Sequence, residues 1–367
     1  MKIRYNYFGD TMKIIGMIVE YNPLHNGHLI HFKKIKEKNP DLVIAVMSSS
    51  FSMRGDLSIF DKFKKTNQAL TLGIDIVVEL PLLESMQRAD IFSLNAVRLL
   101  HDLGVDEIVI GSENNDLSLY EKLYQDDIQS KSKEKSLKVT SNVSNLSSND
   151  TLGYYYYKAI KDNDYQILLS TIKREISEYN DLTFHHEKIA SATSIRNNIN
   201  YIDQYTPSFV SKDKDFILNE EKLFDYIKYK ILSTSLSDLA NIFFVDEGIE
   251  YKLKDIKDFK DLDSFINYLS NKKYTKTRMK RMLMYILLNI KKDEVNKIEN
   301  SSFIRVLGYS KKGKDYLSQI KHNLTLYTNI KEGLHPILDI ELKVSKILDS
   351  IYNLDLLKQE QKGPILR

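Results

Sequence analysis

The stretch Gly16-Met17-Ile18-Val19-Glu20-Tyr21-Asn22-Pro23-Leu24-His25-Asn26-Gly27-His28 constrains the fold most, because it runs an apolar strand into a helix start through a His-x-Gly-His turn. Such a junction needs a strand whose carboxyl end opens directly onto a helix N-terminus. Glycine there lets backbone approach an anion closely, and the helix start offers unpaired N–H groups and a positive dipole end. His25 and His28, three residues apart, can then face one phosphate together. The strand before the turn and the amphipathic run Leu29-Ile30-His31-Phe32-Lys33-Lys34-Ile35 after it supply the context that a short motif requires.

Apolar runs of strand length at 14–19, 42–47, 76–80 and 107–110 alternate with helical periodicity over 29–38, 60–72 and 90–103. That order predicts a parallel sheet covered on both faces, and right-handed crossovers make it Rossmann-like. Ligands in such sheets sit beyond the carboxyl ends of the strands. The His-x-Gly-His turn, Met47-Ser48-Ser49-Ser50, Glu79-Leu80-Pro81 and Gly111-Ser112-Glu113 are therefore expected around one pocket.

A chain of 367 residues with 42% hydrophobic content has ample material for two domains. The absence of cysteine excludes disulfides, thiolate metal sites and a cysteine nucleophile, and fits a reducing cytoplasm. No transmembrane stretch is visible, so no membrane partner is expected. Residues 1–11 lack the apolar core of a signal peptide and read as an N-terminal extension, with Met12 a natural start.

Residues 125–150 are polar and read as a long exposed excursion. A further strand is expected at 165–171, followed by Ala190-Ser191-Ala192-Thr193-Ser194-Ile195-Arg196. Hydroxyls clustered before a helix can cap it and bind phosphate, so Ser194 and Arg196 are expected to form a second phosphate site. Beyond 205 helical periodicity dominates, at 223–232, 264–269, 278–290 and 340–352. The expected organisation is thus an α/β domain over 12–205 and a mostly α-helical domain over 206–367.

The net charge of +3 says little by itself, but its distribution is uneven. From 272 to 292 there are eight Lys or Arg and no acid, with Tyr274 and Tyr285 interleaved. Lys272, Lys273, Lys276, Arg278, Lys280 and Arg281 could track a nucleic-acid backbone, and Arg305, Lys311, Lys312 and Lys314 follow. A solvated helix face is the plain alternative.

Several motifs in this order resemble the bacterial tRNA(Met) cytidine acetate ligase family. They are the string from Gly16 to His28, Met53-Arg54-Gly55, Asp75-Ile76-Val77-Val78-Glu79-Leu80-Pro81, Gly111-Ser112-Glu113-Asn114-Asn115, and the Ala190 to Arg196 segment. In the helical part, Tyr274-Thr275-Lys276-Thr277-Arg278-Met279-Lys280-Arg281-Met282-Leu283 and Val306-Leu307-Gly308 carry the resemblance onward. It implies a Rossmann-like HxGH nucleotidyltransferase domain, activation of acetate by ATP to acetyladenylate, and acetyl transfer to N4 of the wobble cytidine of elongator tRNA(Met).

Carried over by position, the resemblance places ATP binding on Ile18, Val19, Glu20, Tyr21, Asn22, Pro23, Leu24, His25, Asn26, Gly27, His28, Leu29, Ile30 and His31. Gly111, Asn149 and Arg174 join them, with His25 and His28 as the catalytic pair. ATP is expected with Mg²⁺ riding on it rather than on a protein metal cluster, and the basic helices are expected to grip the tRNA. This chain departs from the family at Ser48-Ser49-Ser50 in place of Ser-Gly-Asn, Gly55-Asp56-Leu57 in place of Gly-Glu-Pro, Asn149-Asp150 in place of paired asparagines, and Lys65 in place of arginine. Two alternatives remain. One is an adenylyl- or cytidylyltransferase acting on a small acceptor, which needs no basic second domain. The other is an RNA-binding protein with a degenerate nucleotide site, in which the histidines are dispensable.

Overall fold

A computed structural model of the chain describes residues 6–7, 10–131, 143, 145–174, 188–296 and 302–367. Most of the expected N-terminal extension and residues 132–142 of the polar excursion lie outside the described residues. Within the extension, Asn6–Tyr7 pairs antiparallel with Asp10–Thr11, apart from the main sheet.

The first half of the chain alternates as its apolar spacing dictates. Strand β1 (Ile14–Val19) leads to helix α1 (Asn26–Glu37), β2 (Leu42–Ser48) to α2 (Lys62–Leu72), and β3 (Ile76–Leu80) to α3 (Ala89–Asp102). Strand β4 (Glu107–Ser112), helices α4 (Leu117–Lys131) and α5 (Ser148–Asp162), and strand β5 (Leu168–Lys173) follow. Every residue of β2 and β3 is buried, as expected of strands covered on both faces. Side chains alternate between two cores: Val43, Ala45 and Met47 enter one, and Leu42, Ile44 and Val46 the other.

The parallel strands run β3-β2-β1-β4-β5, so strand order reverses direction between β1 and β4. This is the switch point at which an open α/β sheet leaves a crevice. The expected Rossmann-like class is the observed one.

Beyond 205 the chain is helical at first but does not remain so. After α6 (Ala192–Asn197) the chain builds helices including α7 (Leu223–Ser233), α8 (Leu262–Leu269) and α9 (Lys276–Leu287), then returns to the sheet. Strand β6 (Ile304–Tyr309) lies antiparallel to β3. Beyond it come α10 (Lys311–Ile320), β7 (Leu326–Tyr327), α11 (Pro336–Tyr352), α12 (Leu356–Lys362) and β8 (Ile365–Leu366), and both short strands pair with β6. The helical part is therefore an insertion before the sheet's last strands. One apolar core also runs through both, joining Met17 and Phe60 to Phe224, Phe265 and Met282.

A buried ionic network fixes that return. Lys62 on α2 meets Glu79 on β3 at 2.7 Å, Glu341 on α11 at 3.3 Å, and Glu360 on α12. Arg305 on β6 lies 3.1 Å from Glu360 and 4.0 Å from Glu79, and all five side chains are sealed from water. Burial, reinforced by the Glu79 carboxylate, pushes Glu341 up to about 7, so one of three carboxylates can hold its proton opposite two cations. Arg305, expected as an exposed basic residue, is thus interior. Replacing Lys62 by methionine would strand Glu79 and Glu360 without their ammonium partner, an expected loss of about 3–5 kcal/mol. The check is the urea unfolding midpoint, and a Lys62→Met midpoint equal to wild type would contradict the assignment.

Candidate active site

The cleft at the switch point measures about 470 Å³, within the range of small-ligand sites. His25 is the N-cap of α1, and its Nδ1 accepts a hydrogen bond from the Gly27 N–H at 3.1 Å. The His28 Nδ1 accepts reciprocally from the His25 N–H, also at 3.1 Å. A side chain on Gly27 would bring a Cβ within 2.9 Å of the His25 ring, which is why the turn takes glycine. The two rings sit 3.8 Å apart, tilted by 30°.

These bonds settle the tautomer. A neutral imidazole whose Nδ1 accepts carries its proton on Nε2. Both histidines thus have Nε2–H donors that the backbone bonds leave available for a ligand, and both line the cleft. Burial, with the Arg174 charge adding to it, pushes His25 down to about 3 and His31 to about 4. His28 is lowered by burial and then by His25 and Arg174. The imidazoles are therefore neutral donors at pH 7, and fixed positive charge comes from other residues.

Those residues surround the cleft. Arg174 follows β5, and its side-chain stem lies over Gly111, 3.3 Å from where a Cβ would stand. The Arg174 Nε is 3.3 Å from Glu113 Oε1, and Asn149 Nδ2 donates to the same oxygen at 2.5 Å. Arg196 donates to the Asn22 carbonyl at 2.8 Å, just upstream of the His-x-Gly-His turn. Arg54, Lys34 and Lys173 add positive charge, while Glu20 and Asp56 are carboxylates on the wall. Glu20 Oε1 accepts from Met53 N–H at 2.6 Å, and burial raises its pKa.

Of the stretch expected to hold ATP, Ile18, Val19, Glu20, Tyr21, Asn22, His25, Gly27, His28, Ile30 and His31 line the cleft. Gly111, Asn149, Arg174 and Arg196 do so too. Pro23, Leu24, Asn26 and Leu29 do not. Leu24 and Leu29 turn into the core, and Asn26 binds the carbonyls of Lys188 and Gln204. Ser194 also falls away from the cleft, being fully buried with its N–H capped by Ser191 Oγ at 3.0 Å, and Ser191 lines the wall instead. The ends of β2 and β3 are absent from the lining because other groups occupy them. Lys65 donates to the carbonyls of Glu20, Ser48 and Ser49, Ser49 Oγ donates to Glu341 at 2.7 Å, and Glu79 is held by Lys62.

The basic run also divides. Lys272, Lys273 and Lys276 are exposed, and Arg278 is partly exposed, 5.1 Å over the Tyr274 ring and 3.4 Å from Asp246. Lys280 and Arg281 are withdrawn from the surface, which corrects their expected RNA contact. Lys280 ends between Asp56 and Glu220, and Arg281 donates to the Gln87 carbonyl. Tyr285 is core as well, donating to the Met86 carbonyl at 2.9 Å. Lys34, Arg54, Asp56, Tyr156, Lys173 and Ser191 line the cleft without having been expected as site residues, although Lys34, Arg54, Asp56 and Ser191 stood within the stretches named above.

A switch-point cleft with two Nε2–H donors and a cationic rim defines a nucleotidyltransferase of the HxGH class. Residues 12–363 match the family described as HIGH Nucleotidyl Transferase. A tRNA(Met) cytidine acetate ligase from Geobacillus sp. (strain WCH70) is 36% identical, over 97% of this chain and 100% of that protein. One of the same name from Staphylococcus aureus (strain JH9) is 35% identical, over 93% and 96%. The crystal structure of Thermotoga maritima TmcAL in its apo form superposes with a TM-score of 0.80 at 25% identity, covering 97% of this chain and 99% of that one. A form bound with alpha-thio ATP gives 0.77 at 24% identity over the same shares and attests to the fold alone. The chain belongs to the tRNA(Met) cytidine acetate ligase family.

Histidines with depressed folded-state pKa values make a definite prediction. The unfolded chain takes up protons below about 6.5 that the folded chain refuses, so their contribution is complete above that pH. Stability is expected to decline as pH falls from about 6.5 toward 4. Imidazole ¹⁵N shifts at pH 7 should show Nε2 protonated and Nδ1 bare in His25 and His28, and the opposite tautomer would overturn the donor assignment.

Proposed function

We propose that this chain activates acetate with ATP to form acetyladenylate, and then transfers the acetyl group to N4 of the wobble cytidine of elongator tRNA(Met). Membership of the family supports the reaction, and the paired Nε2–H donors facing a cationic cleft are the observation that carries the mechanism.

In the first step an acetate oxygen attacks the α-phosphorus in line, the bond to the bridging oxygen breaks, and pyrophosphate leaves. The enzyme's part is positioning and stabilisation of charge. His25 and His28 donate to the α-phosphate and the bridging oxygen, while Arg174 and Arg196 hold the β and γ phosphates. Asn149 has one amide N–H engaged with Glu113, which leaves the other to donate and Oδ1 to accept at base or ribose. In the second step the cytosine N4 attacks the acetyl carbonyl, loses a proton, and releases AMP. That amine is a weak nucleophile because its lone pair is delocalised into the ring, and the mixed anhydride supplies the activation it needs.

Mg²⁺ would enter on the ATP phosphates and reduce their negative charge. Among the described residues no three His, Asp or Glu side chains gather as a metal site. The tRNA reaches the exposed Lys272, Lys273 and Lys276, and an anticodon loop can present its base unstacked. The setting is the cytoplasm. Among the described residues no helix is long and apolar enough to cross a membrane.

His28→Ala should slow acetyladenylate formation by about 10²–10³, as loss of one preorganised donor does elsewhere. Single-turnover formation from ATP and labelled acetate checks it, and a near wild-type rate in the folded variant would remove His28 from the mechanism. Reversing the charge of Lys272, Lys273 and Lys276 should weaken tRNA binding and flatten its salt dependence, because fewer counterions are released. Adenylate formation should persist. Unchanged affinity at two salt concentrations would move the RNA surface elsewhere.

A further inference from the structure

We infer that Lys280, reaching from the helical insertion, is a positioning residue of the ATP site that keeps Asp56 from neutralising Arg196. The inference rests on the reading of Arg196 as a ligand of the β and γ phosphates.

Four charged groups from separate parts of the chain meet behind the cleft wall. Lys280 Nζ lies 2.6 Å from Asp56 Oδ1 and 2.7 Å from Glu220 Oε2. The other Asp56 oxygen, Oδ2, is 3.5 Å from Arg196 Nη2. Asp56 and Arg196 line the cleft, whereas Lys280 does not. Its side chain is only 14% exposed, so the ammonium is committed to these partners and unavailable to an RNA phosphate.

The geometry is unequal in a useful way. Asp56 gives its tight contact to Lys280 and its long one to Arg196. Arg196 is meanwhile held by the Asn22 carbonyl at 2.8 Å and Thr193 Oγ1 at 3.3 Å, neutral acceptors that orient a guanidinium without cancelling its charge. Remove the Lys280 charge, and Asp56 has Arg196 as its nearest remaining cation in a site where water screens poorly. The guanidinium is then drawn into an internal pair and its field at the phosphates falls.

The loop carrying Asp56 is docked on α9 by independent contacts. Gly55 adopts φ of +88°, and a Cβ there would stand 3.1 Å from the Arg281 backbone nitrogen, so the turn lies flat against the helix. Glu220 accepts from the Leu57 N–H at 2.6 Å, and so grips the same loop that it shares with Lys280. Asp56 is held from its own side too, its N–H donating to Ser52 Oγ at 3.0 Å. Burial works against ionised Asp56, and Lys280 followed by Arg196 outweighs it, lowering the Asp56 pKa.

The test compares ATP with AMP, which lacks the phosphates assigned to Arg196. In the full-length protein, calorimetric ATP affinity should fall about tenfold in Lys280→Met, the scale of one charge-assisted hydrogen bond, with AMP affinity within about twofold of wild type. Lys280→Arg should restore ATP binding. Lys280→Gln, which keeps donors for Asp56 and Glu220 but no charge, should behave as Lys280→Met and serves if the methionine variant does not fold. The double variant Lys280→Gln/Arg196→Met should bind ATP no more weakly than Arg196→Met alone, as two residues acting through one contact require. An equal loss for ATP and AMP, an additive double variant, or unchanged ATP affinity in Lys280→Gln would overturn the inference while leaving Arg196 in place. Unchanged ATP affinity in Arg196→Met would instead overturn the phosphate reading and the inference with it.

Discussion

Lys62 can be buried as an ammonium only because three carboxylates reach it, and they come from β3, α11 and α12, more than 250 residues apart in sequence at the extreme. An ion left alone at that depth costs several kcal/mol, so the group is tolerable when assembled and costly when incomplete. The last part of the chain therefore has to come back to the sheet. Arg305 on β6 shares Glu360 with Lys62 and approaches Glu79, which brings β6 to the edge of β3. A network of this kind does more to define where segments meet than to add stability, since apolar side chains of the same volume could pack as well.

The same closure selects the active site. Four strand ends were expected around the cleft, and two of them are sealed by polar groups brought from below. Lys65 fills the end of β2 with three carbonyl contacts, and burial lowers its pKa to about 8. Glu341 accepts from Ser49 and from the Leu82 N–H, closing the ends of β2 and β3 together. The cleft is left at β1 and β4, where helices on opposite faces diverge and the first turn carries the histidines.

The α/β half was legible because its signals are local. Apolar runs of four to six residues and the His-x-Gly-His turn each act within a few residues of themselves. The turn even encodes its own tautomers, since the capping bonds of His25 and His28 are made inside α1. What was not legible depended on distant partners. The apolar run of β6 resembles any buried segment until Glu79 and Glu360 are known to face Arg305. Ser194 and Ser191 are equal as letters, and helix capping turns one inward and leaves the other on the wall.

Helix α9 shows the limit most sharply. Lys276 and Lys280 are four residues apart, and on an isolated helix they would share a face. One is exposed and the other is largely covered, because the Asp56 loop and Glu220 close over the second turn and not the first. A count of positive charges reads both as one surface, whereas burial separates a solvent-facing end from a segment packed behind the cleft wall. The helical insertion is thus not a tRNA platform appended to a self-sufficient adenylating domain. Its second turn supplies a counter-charge to the cleft wall, and Met282, Leu283 and Ile286 join the core that β1 and β2 begin. A cut between the two parts would expose that apolar surface and leave Asp56 without its ammonium, so both half-reactions depend on one folded unit.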